Sequence, residues 1–324
     1  MDQQTGKVIK EMRAVFTNPE GSSRLILQNT PVPVPLSNQA LIKVNAFSLN
    51  QGETRTALAA STSYIPGWDF AGVIERPASD GSSPKKGARV FGSAPGGSWA
   101  EYLAVSGGLM AEIPAEISDS VAACLPIAGV TALALIEATG AMFNRRILIT
   151  GAAGGVGLFA CQLAFGAGAK VFAVSRRQNL AGYLLEKKVS LSGVFGTIEE
   201  ACAAGNYDII WDSIGGNTLA IAITALARNG CCINYGNSSR ESTTINVRNS
   251  QWPFHAIRCI WLGREPEYNS TPILQRLAEL VKSKQIHPYI DVELPWTNVI
   301  EATEKLVKRE VDGKIVLKVD SAAQ

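Results

Sequence analysis

The stretch that most narrows the fold is residues 145–168, RRILITGAAGGVGLFACQLAFGAG. RILIT is an apolar run of strand length, and the residues after Gly157 are apolar nearly all round, as a helix buried against a sheet would be. Glycines between the two let the chain turn sharply, let helix pack closely on strand, and leave the N–H groups at the helix start facing an anion. Gly154, Gly155, Val156 and Gly157 are therefore candidate residues for holding a pyrophosphate. A glycine turn is weak by itself, and a bare strand-to-helix turn without ligand is the plain alternative. Its surroundings strengthen it: RILIT, KVFAVS, SGVF, YDIIWDSI, CCINYG and IRCIWLG alternate with helical stretches. That alternation predicts a doubly wound, parallel α/β sheet over residues 123–263.

The second strand, KVFAVS, ends in Ser175, Arg176 and Arg177. A site for NAD needs an Asp or Glu there to accept hydrogen bonds from the ribose hydroxyls. From Leu158 to Leu185 there is no acidic residue, whereas a guanidinium offers forked donors to phosphate oxygens. The expected cofactor is NADPH, held at its 2′-phosphate by Ser175, Arg176 and Arg177; a merely solvated strand end is the alternative.

The first third has a different texture. A proline-stiffened approach, PVPVPLSNQ, leads into ALIKVNAFS, and DFAGVIE, ARVFGS and AEYLAV follow as short strands between Gly, Pro and Ser clusters. Past Gly263, the segment STPILQRLAELVKSKQI predicts a helix with Pro272 near its first turn and a stripe of Ile273, Leu277, Leu280 and Val281. A closing strand, GKIVLKV, is expected to return to the β-rich part. Residues 1–122 and 264–324 are thus read as one domain and 123–263 as the other, with the residues before Met12 as a loose extension.

Several function classes are excluded. Thirty basic and twenty-eight acidic side chains, without a long run of either sign, leave no electrostatic footprint for nucleic acid or a membrane surface. The six cysteines form no C-x-x-C pair and sit in apolar segments, so a reducing, cytoplasmic setting is expected. The start, MDQQTGKVIKEM, lacks a basic region followed by an apolar one, so no secretory signal is read. The uncharged run Ser120–Ile136 is interrupted by Pro126 and Gly129 and is short for a bilayer, which reads as a buried helix.

Two dehydrogenase patterns compete for the turn. TGAAGGVG fits the short-chain family's glycine motif, and YLLEK, Tyr183–Lys187, fits its Y-x-x-x-K pair. Placement rules that out, because Tyr183 and Lys187 fall just beyond the second strand, on the adenosine side; they are assigned to an ordinary exposed helix. From Met12 to Val319 the sequence instead resembles the medium-chain dehydrogenase/reductase superfamily, in its zinc-free quinone oxidoreductase and enoyl reductase branch. NAFSLNQGETR, IPGWDFAGVI, GAAGGVG and DGKIVLKV carry the resemblance, in that order, and INYGNSS is similar to the loop that borders nicotinamide in quinone reductases.

That resemblance implies a Rossmann domain with a β-rich, GroES-like catalytic domain. Where the superfamily's zinc enzymes have a cysteine ligand this chain has Asn50, and where they have a His-Glu pair it has Trp68 and Asp69; with only His255 and His287 in the chain, no metal is expected. Reducing an ordinary ketone creates an alkoxide that needs a Lewis acid or a placed proton, whereas a quinone or enone spreads the incoming charge. The implied activity is hydride transfer from NADPH to a quinone, or to the β-carbon of an α,β-unsaturated carbonyl. Rival readings are an NADPH-binding redox sensor without turnover and a carrier-linked enoyl reductase.

By the same resemblance Asn50, Thr131 and Gly236, Asn237 and Ser238 surround the nicotinamide, and Lys314 lies near the cofactor. Tyr64 and Asn50 are the candidate catalytic residues, Tyr64 as proton donor or hydrogen-bond partner of a carbonyl oxygen. Glu53 is given a structural hydrogen bond, Asp212 a strand-end place, and Trp68 a place in the core. An apolar edge strand at IRCIWLG implies a homodimer.

Overall fold

The computed structural model describes residues 11–177, 179–246, 256–260 and 269–319. The chain divides into two compact units, residues 1–127, 264–283 and 290–324 in the first and 128–263 with 284–289 in the second. Most of the expected N-terminal extension, His255 and the last three residues of IRCIWLG lie outside the described residues.

The first unit opens with β1 (Glu11–Thr17) and β2 (Leu25–Pro31), an antiparallel hairpin that the sequence reading did not pick out. There follow β3 (Gln39–Ser48), β4 (Asp69–Arg76), β5 (Arg89–Ser93), β6 (Tyr102–Ser106) and β7 (Met110–Glu112). The second unit supplies β8 (Arg146–Thr150), β9 (Lys170–Val174), β10 (Gly193–Phe195), β11 (Tyr207–Asp212), β12 (Leu226–Asn234) and β13 (Ala256–Cys259). The tail returns to the first unit with β14 (Ile290–Pro295) and β15 (Lys314–Lys318).

In the first unit the sheet runs β14-β15-β3-β4-β5-β7, with β6 also on β3. The last strand of the chain therefore lies antiparallel against β3, Val316 opposite Ser48. Strands β3 and β4 turn Ile42, Val44, Phe47, Phe70 and Ile74 into one core with Trp99 and Trp296, an irregularity between Val44 and Ala46 bringing Phe47 inward. Phe47 and Trp99 stack at 6.0 Å between ring centroids. Each large apolar side chain so buried contributes about 1.5–3 kcal/mol.

In the second unit six parallel strands run β10-β9-β8-β11-β12-β13. The six expected strands are present in part or whole, and the order reverses between β8 and β11, the switch point where open α/β sheets bind ligands at their carboxyl ends. The mixed α/β fold class, with a Rossmann-type parallel sheet and a β-rich unit, is as expected.

Three local readings change. The uncharged run is not one helix but two, Asp119–Ala123 and Pro126–Thr139, because a proline excludes the helical conformation from the residue before it and suits a first turn. The tail helix, Thr271–Lys282, buries Leu274, Leu277 and Ala278, so its inner face is rotated from the expected stripe. Tyr183 is half-buried rather than exposed: its ring meets Tyr289 at 4.4 Å, and burial pushes its hydroxyl up to about 12. Among the described residues no helix is long and apolar enough to cross a membrane.

Candidate functional site

In the second unit the glycine turn joins β8 to the helix Gly155–Gly166, with Gly154 as its N-cap residue. Gly151 takes φ 62°, a left-handed conformation that the reading by spacing had not singled out. A Cβ on Gly157 would stand 2.3 Å from Gly151 O and 2.7 Å from Ala152 Cα, so only glycine lets this helix sit on its strand. Gly154 is exposed, and the first N–H groups of the helix lack intrahelical partners, which is the arrangement that receives a phosphate.

The carboxyl ends of β8, β11 and β12 are laced together. Buried Asp212 accepts hydrogen bonds from Thr150 Oγ1 at 2.7 Å, Gly215 N at 2.8 Å and Asn234 Nδ2 at 2.9 Å. Ser213 N donates to Thr150 Oγ1 at 3.1 Å. Asp212 is thus a strand-end residue as expected, and also the anchor of the switch point. The loop of Gly236, Asn237 and Ser238 is folded onto the loop after β11, since Ser238 N donates to Ser213 O at 3.1 Å and Ser239 N to Ile214 O at 2.8 Å. Thr131 is buried in the helix Pro126–Thr139.

At the end of β9, Arg177 N donates to Ser175 Oγ at 3.0 Å, Ser175 N donates to Phe195 O, and Arg176 is exposed. Ser175, Arg176 and Arg177 therefore form one short turn. The glycine turn, the helix start and this basic strand end together fit a nicotinamide dinucleotide.

In the first unit β15, β3 and β4 bring together residues far apart in sequence. Lys314 is 2% exposed and Asp69 0%, and they pair at 3.2 Å from Nζ to Oδ2. The same ammonium donates to Leu49 O at 3.0 Å and Asn50 Oδ1 at 2.6 Å. Asp69 Oδ2 also accepts from Ser48 Oγ at 2.6 Å and Asn50 Nδ2 at 2.8 Å, while its Oδ1 accepts from Ile127 N at 2.9 Å. Asn50, the N-cap of the helix Gln51–Leu58, donates from its backbone N to Glu53 Oε1 at 2.8 Å and from Nδ2 to the same oxygen at 3.1 Å. Glu53 Oε2 accepts from Trp68 N.

Burial and the neighbouring Asp69 charge push the Glu53 carboxyl up to about 8, against the pull of Lys314 and the N–H groups of Asn50 and Trp68. The expected structural hydrogen bond of Glu53 is present. Lys314 spends its three donors inside the protein, on Leu49 O, Asn50 Oδ1 and Asp69 Oδ2. Trp68 was expected in the core and is half-buried instead, its ring lying over Gly52. Tyr64 is held by its backbone, which donates to Thr17 Oγ1 at 2.9 Å; burial and the Glu53 charge raise its hydroxyl above the ordinary value. Ser48 and Ile127 N escaped the sequence reading, for no local pattern tells which strands will be neighbours.

These donors do not fit a tetrahedral zinc. Asn50 offers an amide, Trp68 an indole, and Asp69 is already paired with an ammonium. Among the described residues no group of three or more His, Cys, Asp and Glu side chains is placed to hold a metal ion.

A Rossmann-type unit and a GroES-like unit in one chain define a medium-chain type of dehydrogenase. The alcohol dehydrogenase GroES-like domain matches residues 37–115 and the zinc-binding dehydrogenase domain residues 190–317. Quinone oxidoreductase of Mus musculus is 37% identical over 95% of this chain and 98% of its own, and that of Homo sapiens 28% identical over the same shares. The solved quinone oxidoreductase of Coxiella burnetii superposes with a TM-score of 0.84 at 26% identity, covering 96% of this chain and all of its own. A mycobacterial protein solved with NADPH shares the fold, at a TM-score of 0.82 and 20% identity over 95% of this chain and 100% of that one. The chain belongs to the medium-chain dehydrogenase/reductase superfamily, in its zinc-free quinone oxidoreductase branch. It is an oxidoreductase of a family that binds a nicotinamide cofactor.

Proposed function

We propose that this chain reduces a quinone, or the β-carbon of an α,β-unsaturated carbonyl, with NADPH and without a metal. The observation that carries the reading is the buried Lys314–Asp69 pair with Asn50; by the resemblance, Asn50 and Asp69 stand where the zinc enzymes have ligands. Conjugated acceptors disperse the incoming charge and need no Lewis acid. In this reading the second unit binds the nucleotide and the first receives the substrate. Gly154, Gly155, Val156 and Gly157 hold the pyrophosphate, Ser175, Arg176 and Arg177 the 2′-phosphate, and Thr131, Gly236, Asn237, Ser238 and Asn50 the nicotinamide half. When bound, the cofactor supplies the hydride. Tyr64 donates a hydrogen bond to the carbonyl oxygen, its raised hydroxyl keeping its proton at neutral pH. Catalysis then rests on placement and the exclusion of water.

Pairing of β13, the edge of the parallel sheet among the described residues, with its copy would give a homodimer, and the balanced charge suits a cytoplasmic enzyme. The test is NADPH oxidation followed by absorbance against a panel of quinones and enones, with Tyr64→Phe alongside. Turnover with conjugated acceptors, lowered in the variant, supports the reading. NADPH binding with no acceptor reduced overturns it in favour of a sensor.

A further inference from the structure

Tyr64 lies on irregular chain between the helix Gln51–Leu58 and β4, and Ser61, Thr62 and Ser63 ahead of it are exposed. No helix or ladder repeat fixes the backbone there, so the direction of the tyrosine's Cα–Cβ bond depends on where the segment's peptide groups find partners. They find them on Thr17, the last residue of β1, which is 1% exposed. Thr17 N donates to Tyr64 O at 2.9 Å, and Tyr64 N donates to Thr17 Oγ1 at 2.9 Å. The threonine's own proton goes to Thr62 O at 2.8 Å, with Tyr64 O a longer alternative at 3.3 Å. Both peptide groups that flank the Tyr64 Cα therefore end on one buried residue.

The rest of the segment is fastened as well. Arg24, just ahead of β2, donates from Nε to Leu58 O at 2.9 Å and from Nη2 to Ala60 O at 2.7 Å, and its Nη1 holds Pro19 O in the hairpin's own turn. Past Tyr64, Gly97 N donates to Ile65 O at 3.0 Å. The other buried residues of β1, Met12, Ala14 and Val15, are apolar, and a buried hydroxyl is costly unless it is bonded. That of Thr17 is spent on the tyrosine's segment, as donor and as acceptor. From these contacts we infer that Thr17 is a positioning residue for Tyr64, setting the direction in which the tyrosine hydroxyl is offered to the acceptor's carbonyl oxygen and making the N-terminal hairpin part of the site. The inference rests on the reading of Tyr64 as hydrogen-bond partner of that oxygen. Buried as it is, Thr17 acts through the tyrosine and does not meet the substrate.

The experiment is a double-mutant cycle of wild type, Thr17→Val, Tyr64→Phe and the two together, with Thr17→Ser alongside. Valine keeps the shape of threonine and removes its hydroxyl, whereas serine keeps the hydroxyl. Melting curves check that each variant folds; should Thr17→Val fail, Thr17→Cys, whose sulfur is a weaker acceptor, replaces it in the cycle. Three quantities are read: kcat/KM for duroquinone, the duroquinone Kd by calorimetry without NADPH, and the NADPH Kd by fluorescence without acceptor.

Thr17→Val is expected to lower kcat/KM for duroquinone by roughly three- to tenfold and to weaken its binding by a similar factor, as misplacing one hydrogen bond requires, with the NADPH Kd held within about twofold. Thr17→Ser should stay within about twofold of wild type throughout, and Thr17→Cys should show the same loss in smaller measure. In the Tyr64→Phe background, Thr17→Val should cost nothing further, because the hydroxyl it directs is gone. A merely structural threonine would lower activity by the same factor in both backgrounds, and that additivity overturns the inference. So does a silent Thr17→Val, or a loss on Thr17→Val while Tyr64→Phe is silent. Failure of the functional reading is distinct: the wild type would reduce no acceptor, while duroquinone binding would still show whether the two residues are coupled.

Discussion

Replacing Gly157 by alanine puts a methyl group where the backbone leaves no room. Its Cβ would stand 2.3 Å from Gly151 O and 2.7 Å from both Ala152 Cα and Ala152 O, and these neighbours are main-chain atoms that no rotamer change can move. Overpacking a filled site costs about 1–3 kcal/mol, and a clash with backbone lies at the upper end. Against this stands the helix preference of alanine over glycine, worth up to about 1 kcal/mol. The net loss is about 2 kcal/mol, a fall in Tm of about 4–8 °C for a domain of this size.

The control lies in the same helix. Gly166 has no heavy atom within 4 Å of a built Cβ, so Gly166→Ala keeps only the favourable part and should raise Tm by about 1–3 °C. Thermal unfolding followed by circular dichroism reads both. Titration of NADPH into the folded variants adds a second reading, because a displaced turn misplaces the helix N–H groups, and Gly157→Ala should lose affinity that Gly166→Ala keeps. Equal melting temperatures for the two variants would refute the packing argument.

Two other outcomes are expected. Arg176→Ala with Arg177→Ala should raise the KM for NADPH by roughly ten- to a hundredfold and that for NADH much less, as loss of charge-assisted bonds to a phosphate requires; equal effects on both would remove the 2′-phosphate assignment. Glu53 gives a pH signature: its carboxyl sits near 8 when folded and near the ordinary 4.5 when unfolded, so the folded state holds a proton that the unfolded chain releases. Its contribution is complete below the ordinary carboxylate range and falls by a few kcal/mol, at about 1.4 kcal/mol per pH unit, as pH rises towards 8. Glu53→Gln should therefore gain stability relative to wild type between about pH 5 and pH 8 in paired melting curves, and parallel curves would contradict the assignment.

The strands of the second unit were legible because each is an apolar run closed by punctuation, with KVFAVS and YDIIWDSI read almost to their ends. Strands β1 and β2 were not, since most of β2 faces water and no tight turn joins the two. The members of the polar cluster were legible one by one, Asn50, Asp69 and Lys314 each lying in a quoted motif. Their meeting was not, because it depends on the pairing of β3 with β4 and of β15 with β3, whose partners Val316 and Ser48 lie far apart in the chain. A buried lysine also looks like any other lysine in a sequence; only the paired strands show that its charge is answered from within.

The position of β15 in the first sheet sets an order of events during synthesis. It is made last, yet it lies inside the sheet, between β14 and β3, and carries the ammonium that Asp69 and Asn50 surround. Until the ribosome has delivered it, β3 keeps its edge open at Ala46, Phe47 and Ser48, and the buried Asp69 lacks its cation. The parallel sheet is one continuous stretch of chain and is free to form while β15 is still to come, so the unit that holds β3 and β4 becomes whole only after it.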